Sequence, residues 1–245
     1  MNRFNYDTHM HLDLYKNIDD LIKYIEENKS YTIAVTNLPV LYEKYIQEYK
    51  NLKYIRFAVG LHPQLIGQYK NQIPKLIKDL KYSKYIGEIG LDFNEEDVEN
   101  KALQINTFKE IIDNCNKLGG KILSIHSRKA SKHVIEIIGD KFNGKIILHW
   151  FSGTISELRE AIENGYYFSI NTEMVKSKKG IELIKNIPIE RILIESDAPF
   201  TRSTKDGYNL NFISDIEKGL IKIKGLEGTN INEILKNNFK KLLNV

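Results

Sequence analysis

The chain of 245 residues contains one cysteine, Cys115. No intramolecular disulfide framework can exist, which fits a reducing, cytoplasmic setting, and the fold must rest on its core. No stretch approaches the roughly eighteen apolar residues that a membrane-crossing helix needs, so no membrane association is expected. The first residues, Met1 to Asp7, lack the apolar core of a secretory leader. There is no Walker lysine motif and no G-x-G-x-x-G after a strand, which argues against a nucleotide cofactor. Linkers rich in Pro, Gly or Ser and low-complexity blocks are also missing, so residues 1–245 are expected to form one domain. Charge of one sign is not in excess: 36 basic residues face 32 acidic ones, a net +4, which permits a polyanionic partner without requiring one. With 42% hydrophobic and 28% charged residues, the chain has the composition of a folded globular protein.

What is present is an alternation. Short β-rich apolar runs at 4–6, 31–36, 54–59, 85–89, 121–125, 145–148, 166–170 and 191–195 read as strands, several with the continuous apolar character of parallel strands buried on both faces. Segments of helical spacing lie between them. Leu21, Ile22 and Ile25 share a face, as do Leu76, Ile77 and Leu80, and the stripe Ile105, Phe108, Ile111, Ile112, Cys115 is the clearest. Val134, Ile135 and Ile138 repeat the pattern, and Ile231, Ile234, Leu235, Phe239 and Leu242 make a C-terminal stripe. Gly119-Gly120 and Asn164-Gly165 read as helix stops. Eight strands alternating with helices predict an α/β fold, a (β/α)₈ TIM barrel, with an open doubly wound sheet as the alternative.

Chemistry-bearing residues cluster at the strand ends. Five of the six histidines sit there: His9 and His11 after the first strand, His62 after the third, His126 and His149 ending the fifth and sixth. His133 stands apart in a helix start and reads as surface. Glu88 and Asp92 lie at the end of the fourth strand, Glu195 and Asp197 at the end of the eighth. In a closed barrel all C-terminal strand ends meet on one rim, so His9 and Asp197 become neighbours. Residues i and i+2 of an extended segment point the same way, so His9 and His11 can grip one ion. Imidazoles with carboxylates suit Zn, Mn, Fe or Ni better than Ca, and the number of ligands suggests two ions sharing one of them. The competing reading, unrelated core and rim residues, would leave costly buried ionisable groups recurring at equivalent positions.

Together the runs D-x-H-x-H at 7–11, G-L-H-P at 60–63, G-E-I-G-L-D at 87–92, I-H-S-R at 125–128, H-W-F-S-G at 149–153 and E-S-D-A-P at 195–199, with Gln104-x-x-x-Phe108 as a softer mark, resemble the TatD-like metal-dependent deoxyribonucleases, a branch of the amidohydrolase-type TIM barrels. The resemblance runs from Asp7 to Asn238. It implies two divalent metal ions (Mg, Mn or Zn): His9, His11 and Asp197 holding one, His126 and His149 the other, Glu88 bridging. It implies His62 and Arg128 as substrate-binding residues near the phosphate, and Asp197, Glu88 and His62 as catalytic. Asp92 and Glu195 would orient their neighbours. The expected activity is hydrolysis of phosphodiester bonds by a two-metal-activated water, a 3′–5′ exonuclease on DNA single strands or strand ends. The runs 11–15, 60–64 and 195–200 are similar to the TatD-like component of the Qat anti-phage defence system, which implies defence-system protein partners.

The chain departs from the family in three places. Trp150 stands where the family usually has cysteine. The segment after Asp92 is short and acidic (Glu95, Glu96, Asp97, Glu99), read here as capping the next helix rather than repelling a phosphate backbone. The loop Thr201 to Asn211 lacks the family's Arg-rich, Asn-Glu-Pro run. Two rival readings remain: a small-molecule amidohydrolase or phosphotriesterase-like enzyme on the same metal site, and an inactive binding scaffold in a defence complex. The lysines at 176, 178, 179, 236, 240 and 241 read as solvated helix faces.

Overall fold

A computed structural model describes residues 3–94 and 97–244. Its elements follow the order β1 (Tyr6–Met10), α1 (Ile18–Glu27), β2 (Tyr31–Val35), α2 (Pro39–Glu48), β3 (Ile55–Ala58), α3 (Ile73–Asp79), β4 (Tyr85–Gly90), α4 (Val98–Leu118), β5 (Lys121–His126), α5 (Ser131–Ile138), β6 (Gly144–His149), α6 (Ile155–Glu163), β7 (Tyr167–Ile170), α7 (Lys178–Asn186), β8 (Ile192–Ile194), α8 (Asn211–Lys224) and α9 (Ile231–Leu243). All strand pairings are parallel, in the orders β1-β2-β3 and β4-β5-β6-β7-β8. Two narrow seams join these arcs. Val59 N donates to Tyr85 O at 3.1 Å and Gly87 N to Val59 O at 3.0 Å. On the other side Asp197 N donates to His9 O at 3.0 Å and His11 N to Ala198 O at 2.9 Å. The sheet is thereby closed into the (β/α)₈ barrel, and the open-sheet alternative falls.

The expected helix faces are the buried ones. Leu21, Ile22 and Ile25, then Leu76 and Leu80, then Phe108, Ile111, Ile112 and Cys115 all lie in the core. Gly119 and Gly165 take φ of 65° and 81° where α4 and α6 end, a region that glycine enters without steric cost. At Gly60 the reason is space: a Cβ would stand 1.8 Å from Gly87 O, so only glycine lets the chain turn across the β3–β4 seam and carry His62 to the rim.

The first strand differs from the sequence expectation. It covers Tyr6–Met10 rather than residues 4–6, so His9 lies within it and only His11 follows it. Its polar residues hide it from a hydrophobicity reading, yet all five are buried, and the polar groups of Asp7, Thr8 and His9 are paired. Asp7 accepts from Ser196 N (2.9 Å), His9 N (3.1 Å) and Tyr208 OH (3.1 Å), and Thr8 Oγ1 donates to Ile194 O.

Beneath the barrel α9 closes the N-terminal mouth. Phe239 stacks on Tyr6 at 4.5 Å and meets Tyr31 edge-on at 5.7 Å. Asn238 Nδ2 donates to Ile189 O and Ile192 O where β8 begins. Among the described residues no helix is long and apolar enough to cross a membrane.

Candidate metal centre

At the opposite mouth the six expected ligands converge. His9 Nε2 stands 2.8 Å from Glu88 Oε2, 3.3 Å from His11 Nε2 and 3.8 Å from Asp197 Oδ1. His11 Nε2 lies 3.5 Å from Asp197 Oδ1. Glu88 turns its other oxygen the other way: Oε1 is 3.1 Å from His126 Nδ1 and 3.2 Å from His62 Nε2. His149 Nε2 faces both halves, 3.5 Å from Glu88 Oε2 and 3.4 Å from His126 Nδ1. Three overlapping groups of potential ligand atoms result: His9, His11, Asp197; His9, Glu88, His149; and His62, Glu88, His126.

The backbone is bent to make this possible. β4 slips register between Gly87 and Ile89, and β1 between Asp7 and Met10, so both strands carry a bulge at a site residue. Glu88, Trp150 and Asp197 have φ of 56°, 38° and 46°. For residues with a Cβ that region costs on the order of 1–2 kcal/mol each, and here it aims side chains into the mouth instead of along the pleat.

Neighbours fix the rings. Ser124 Oγ is 2.7 Å from His9 Nδ1, and accepting that proton leaves the Nε2 lone pair toward the cluster. Asp92 Oδ2 sits 2.8 Å from His126 Nε2 and does the same for His126 Nδ1. Gln104 accepts from Asp92 N at 2.8 Å and steadies that loop. Asn37 reaches His11 Nδ1 at 3.2 Å and is itself held by Asp13. Glu195, beside His149, accepts from Trp150 N, Asn171 and Ser169. As Asn37 Nδ2 donates to His11 Nδ1, so Gln64 N donates to His62 Nδ1, and in the neutral His62 ring Nε2 carries the proton and donates.

Burial pushes His9 and His149 down, and keeps their rings neutral as a cation requires. Burial opposes charging His11 and His126 too, but Asp197 and Glu88 beside the first, and Asp92 and Glu88 beside the second, lift both to about 9. Glu88 is buried, which disfavours its charge, yet the surrounding imidazoles outweigh burial and hold its carboxyl well below the usual range. Burial raises Asp197 and brings Glu195 up to about 8. Three atoms here are buried without a hydrogen bond: Glu88 Oε2, Asp197 Oδ1 and His149 Nδ1. Two orphaned carboxylate oxygens among imidazole nitrogens would be costly unless a cation meets them, so the residues fit a divalent ion.

The TatD related DNase family matches residues 6–244. The chain belongs to that family. It is 32% identical to a putative deoxyribonuclease TATDN1 homolog from Encephalitozoon cuniculi over 64% of this chain, an alignment that spans only 56% of that protein. With the deoxyribonuclease TATDN3 of Homo sapiens it shares 27% identity, over 96% of this chain and 93% of that one. The crystal structure of YJJV, a TatD homolog from Escherichia coli, superposes with a TM-score of 0.82 at 20% identity, covering 100% of both chains. This TatD-family chain is a hydrolase.

Around its centre lies a pocket of about 520 Å³, lined by His11, His62, Glu88, Asp92, His126, His149 and Asp197, with Arg128, Trp150 and Phe200 at its walls. Arg128 is exposed and has no ion-pair partner among the described residues. His133 is exposed, as expected. Asp97 caps α4 by accepting from Asn100 N; Glu95 and Glu96 lie outside the described residues. Sequence reasoning missed Ser124, Asn37, Asn171 and Phe200. Ser124 had a signal, a hydroxyl amid the apolar middle of β5, and Asn171 another, a polar residue directly after β7. Nothing local marks Asn37, whose role depends on Asp13 and His11.

Proposed function

We propose that the chain is a deoxyribonuclease that hydrolyses phosphodiester bonds at DNA strand ends in the 3′–5′ direction, with two divalent cations drawn from Mg, Mn or Zn. The observation that carries this reading is Glu88, whose two oxygens face two different sets of imidazoles. His9, His11 and Asp197 would hold one cation and His126 and His149 the other, with Glu88 shared. Bound there, such cations supply Lewis-acid polarisation of the phosphodiester and lower the pKa of nearby water. Asp197 would take the proton of the attacking water, a role that its buried Oδ1, without a hydrogen bond, supports. His62 Nε2 donates toward a non-bridging phosphate oxygen, which its Gln64-fixed tautomer supports. Arg128 meets the phosphate charge at the pocket wall.

Incubation of end-labelled single-stranded DNA with the protein, with and without chelator, tests the proposal. A product ladder receding from the 3′ end, abolished by EDTA and restored by Mg²⁺, Mn²⁺ or Zn²⁺, is expected. Cleavage that survives chelation, internal cuts alone, or no cleavage with any of the metals would overturn it. The runs at 11–15, 60–64 and 195–200 support a place in anti-phage defence with protein partners; phage plating on cells carrying the intact chain or Glu88→Ala tests that role.

A further inference from the structure

The centre explains the histidines and carboxylates of the pocket but not its two large aromatic walls. Trp150, the only tryptophan of the chain, directly follows His149 and is half-buried, so part of its ring packs on the core and part faces the pocket. Its backbone N–H donates to Glu195 Oε1 at 3.1 Å, which anchors the residue whatever its side chain. Phe200 is 58% exposed, among the most exposed large apolar side chains described, and stands edge-on to His11 at 5.1 Å. Leaving a phenyl ring this open costs apolar burial that the core would otherwise gain. The pocket volume, about 520 Å³, falls within the roughly 300–1,000 Å³ range of small-ligand sites, so it has room for a nucleotide-sized group. Arg128 supplies a cation on the same wall system.

A phosphodiester at the metal centre necessarily brings a base with it. Aromatic faces are the surfaces on which unpaired bases settle without regard to sequence. We infer that Trp150 and Phe200 form a stacking subsite for the base next to the cleaved phosphate. The chain then requires that base to be unpaired, and the two rings determine specificity while the cations determine chemistry. This rests on the nuclease reading above, but it can fail independently of it.

The single tryptophan is a built-in reporter. The metal-loaded protein is titrated with a phosphorothioate-protected single strand, and with the same strand carrying an abasic terminal residue, while Trp150 fluorescence is followed. The expected result is quenching and binding about tenfold tighter or more for the base-bearing end, the scale of one base–aromatic stack. Phe200→Leu should shrink that preference, and Trp150→Leu and Phe200→Leu should each raise KM for unprotected strands more than they lower kcat, at unchanged bound metal, which also certifies folding. Equal binding of both ends, or an unmoved Trp150 signal on saturation, overturns the subsite. Cleavage without preference for a terminal base removes the subsite and leaves the nuclease; quenching and preference without any cleavage by the metal-loaded chain removes the nuclease and leaves the subsite.

Discussion

The two mouths of the barrel are made from opposite materials. At the N-terminal mouth Tyr6, Tyr31 and Phe239 pack ring on ring beneath the strands, and Asn238 satisfies the carbonyls around them. At the C-terminal mouth the strands end in imidazoles and carboxylates, the site residues Glu88, Trp150 and Asp197 adopt left-handed backbone, and the carboxylate oxygens Glu88 Oε2 and Asp197 Oδ1 are buried without donors. The first arrangement lowers the energy of the empty fold. The second raises it and is tolerated because the rest of the barrel holds it in place. Stability and chemistry are thus separated along one axis, and substitutions at the two ends should fail in different ways.

The largest effect is expected at Glu88. Glu88→Gln keeps the volume and removes the charge shared by both ligand sets, so activity and bound metal should fall by well over about 100-fold, more than the loss of a mere orienting partner brings. The thermal midpoint of the metal-free protein should stay near that of the parent. Metal analysis, a nuclease assay and a thermal melt read these together; retained metal would break the contrast between the mouths. At the other end, Phe239→Ala should cost about 3–5 kcal/mol of unfolding free energy by opening a cavity under β1 and β2. Metal bound per folded molecule should be unchanged. A denaturant titration paired with metal analysis decides this, and loss of metal in the folded fraction would mean that the two ends are coupled.

The same contrast explains which parts of the molecule were legible in the chain. Helix stripes such as Phe108, Ile111, Ile112 and Cys115 and stops such as Gly119 follow from burial and backbone freedom, which are local properties. The ligands could be read because equivalent strand ends must meet in a closed barrel. β1 could not be placed correctly, since Asp7 and Thr8 are buried only by virtue of Ser196, Tyr208 and Ile194, some 190 positions away, and His9 by virtue of Ser124 on β5. Asn37 and Phe200 were invisible for a related reason: each acts on His11 across space, from a different loop.

A finer probe is Ser124, which belongs to the barrel wall and the centre at once. Ser124→Ala removes the partner of His9 Nδ1 and frees the ring to take the wrong tautomer. Metal affinity should drop about 10–100-fold. Competition with a chelating dye measures it. An unchanged affinity would show that packing against His149, whose ring lies 3.9 Å away and nearly parallel, suffices to hold His9.

The smallest expected effect tests whether anything on the catalytic face contributes to stability without touching the chemistry. α6 starts just beyond Trp150 with a reciprocal cap: Thr154 accepts from Glu157 N at 3.2 Å, and Glu157 accepts from Thr154 N at 2.7 Å. Both contacts satisfy first-turn N–H groups that the helix itself leaves open. Thr154→Ala should therefore cost about 1 kcal/mol, with metal content and cleavage rate unchanged. Equilibrium unfolding measures the first and the nuclease assay the second. A fall in activity at full metal loading would instead make the cap part of the scaffold that fixes His149 and Trp150, and the line between the two kinds of structure would then run inside the β6–α6 loop rather than between the two ends of the barrel.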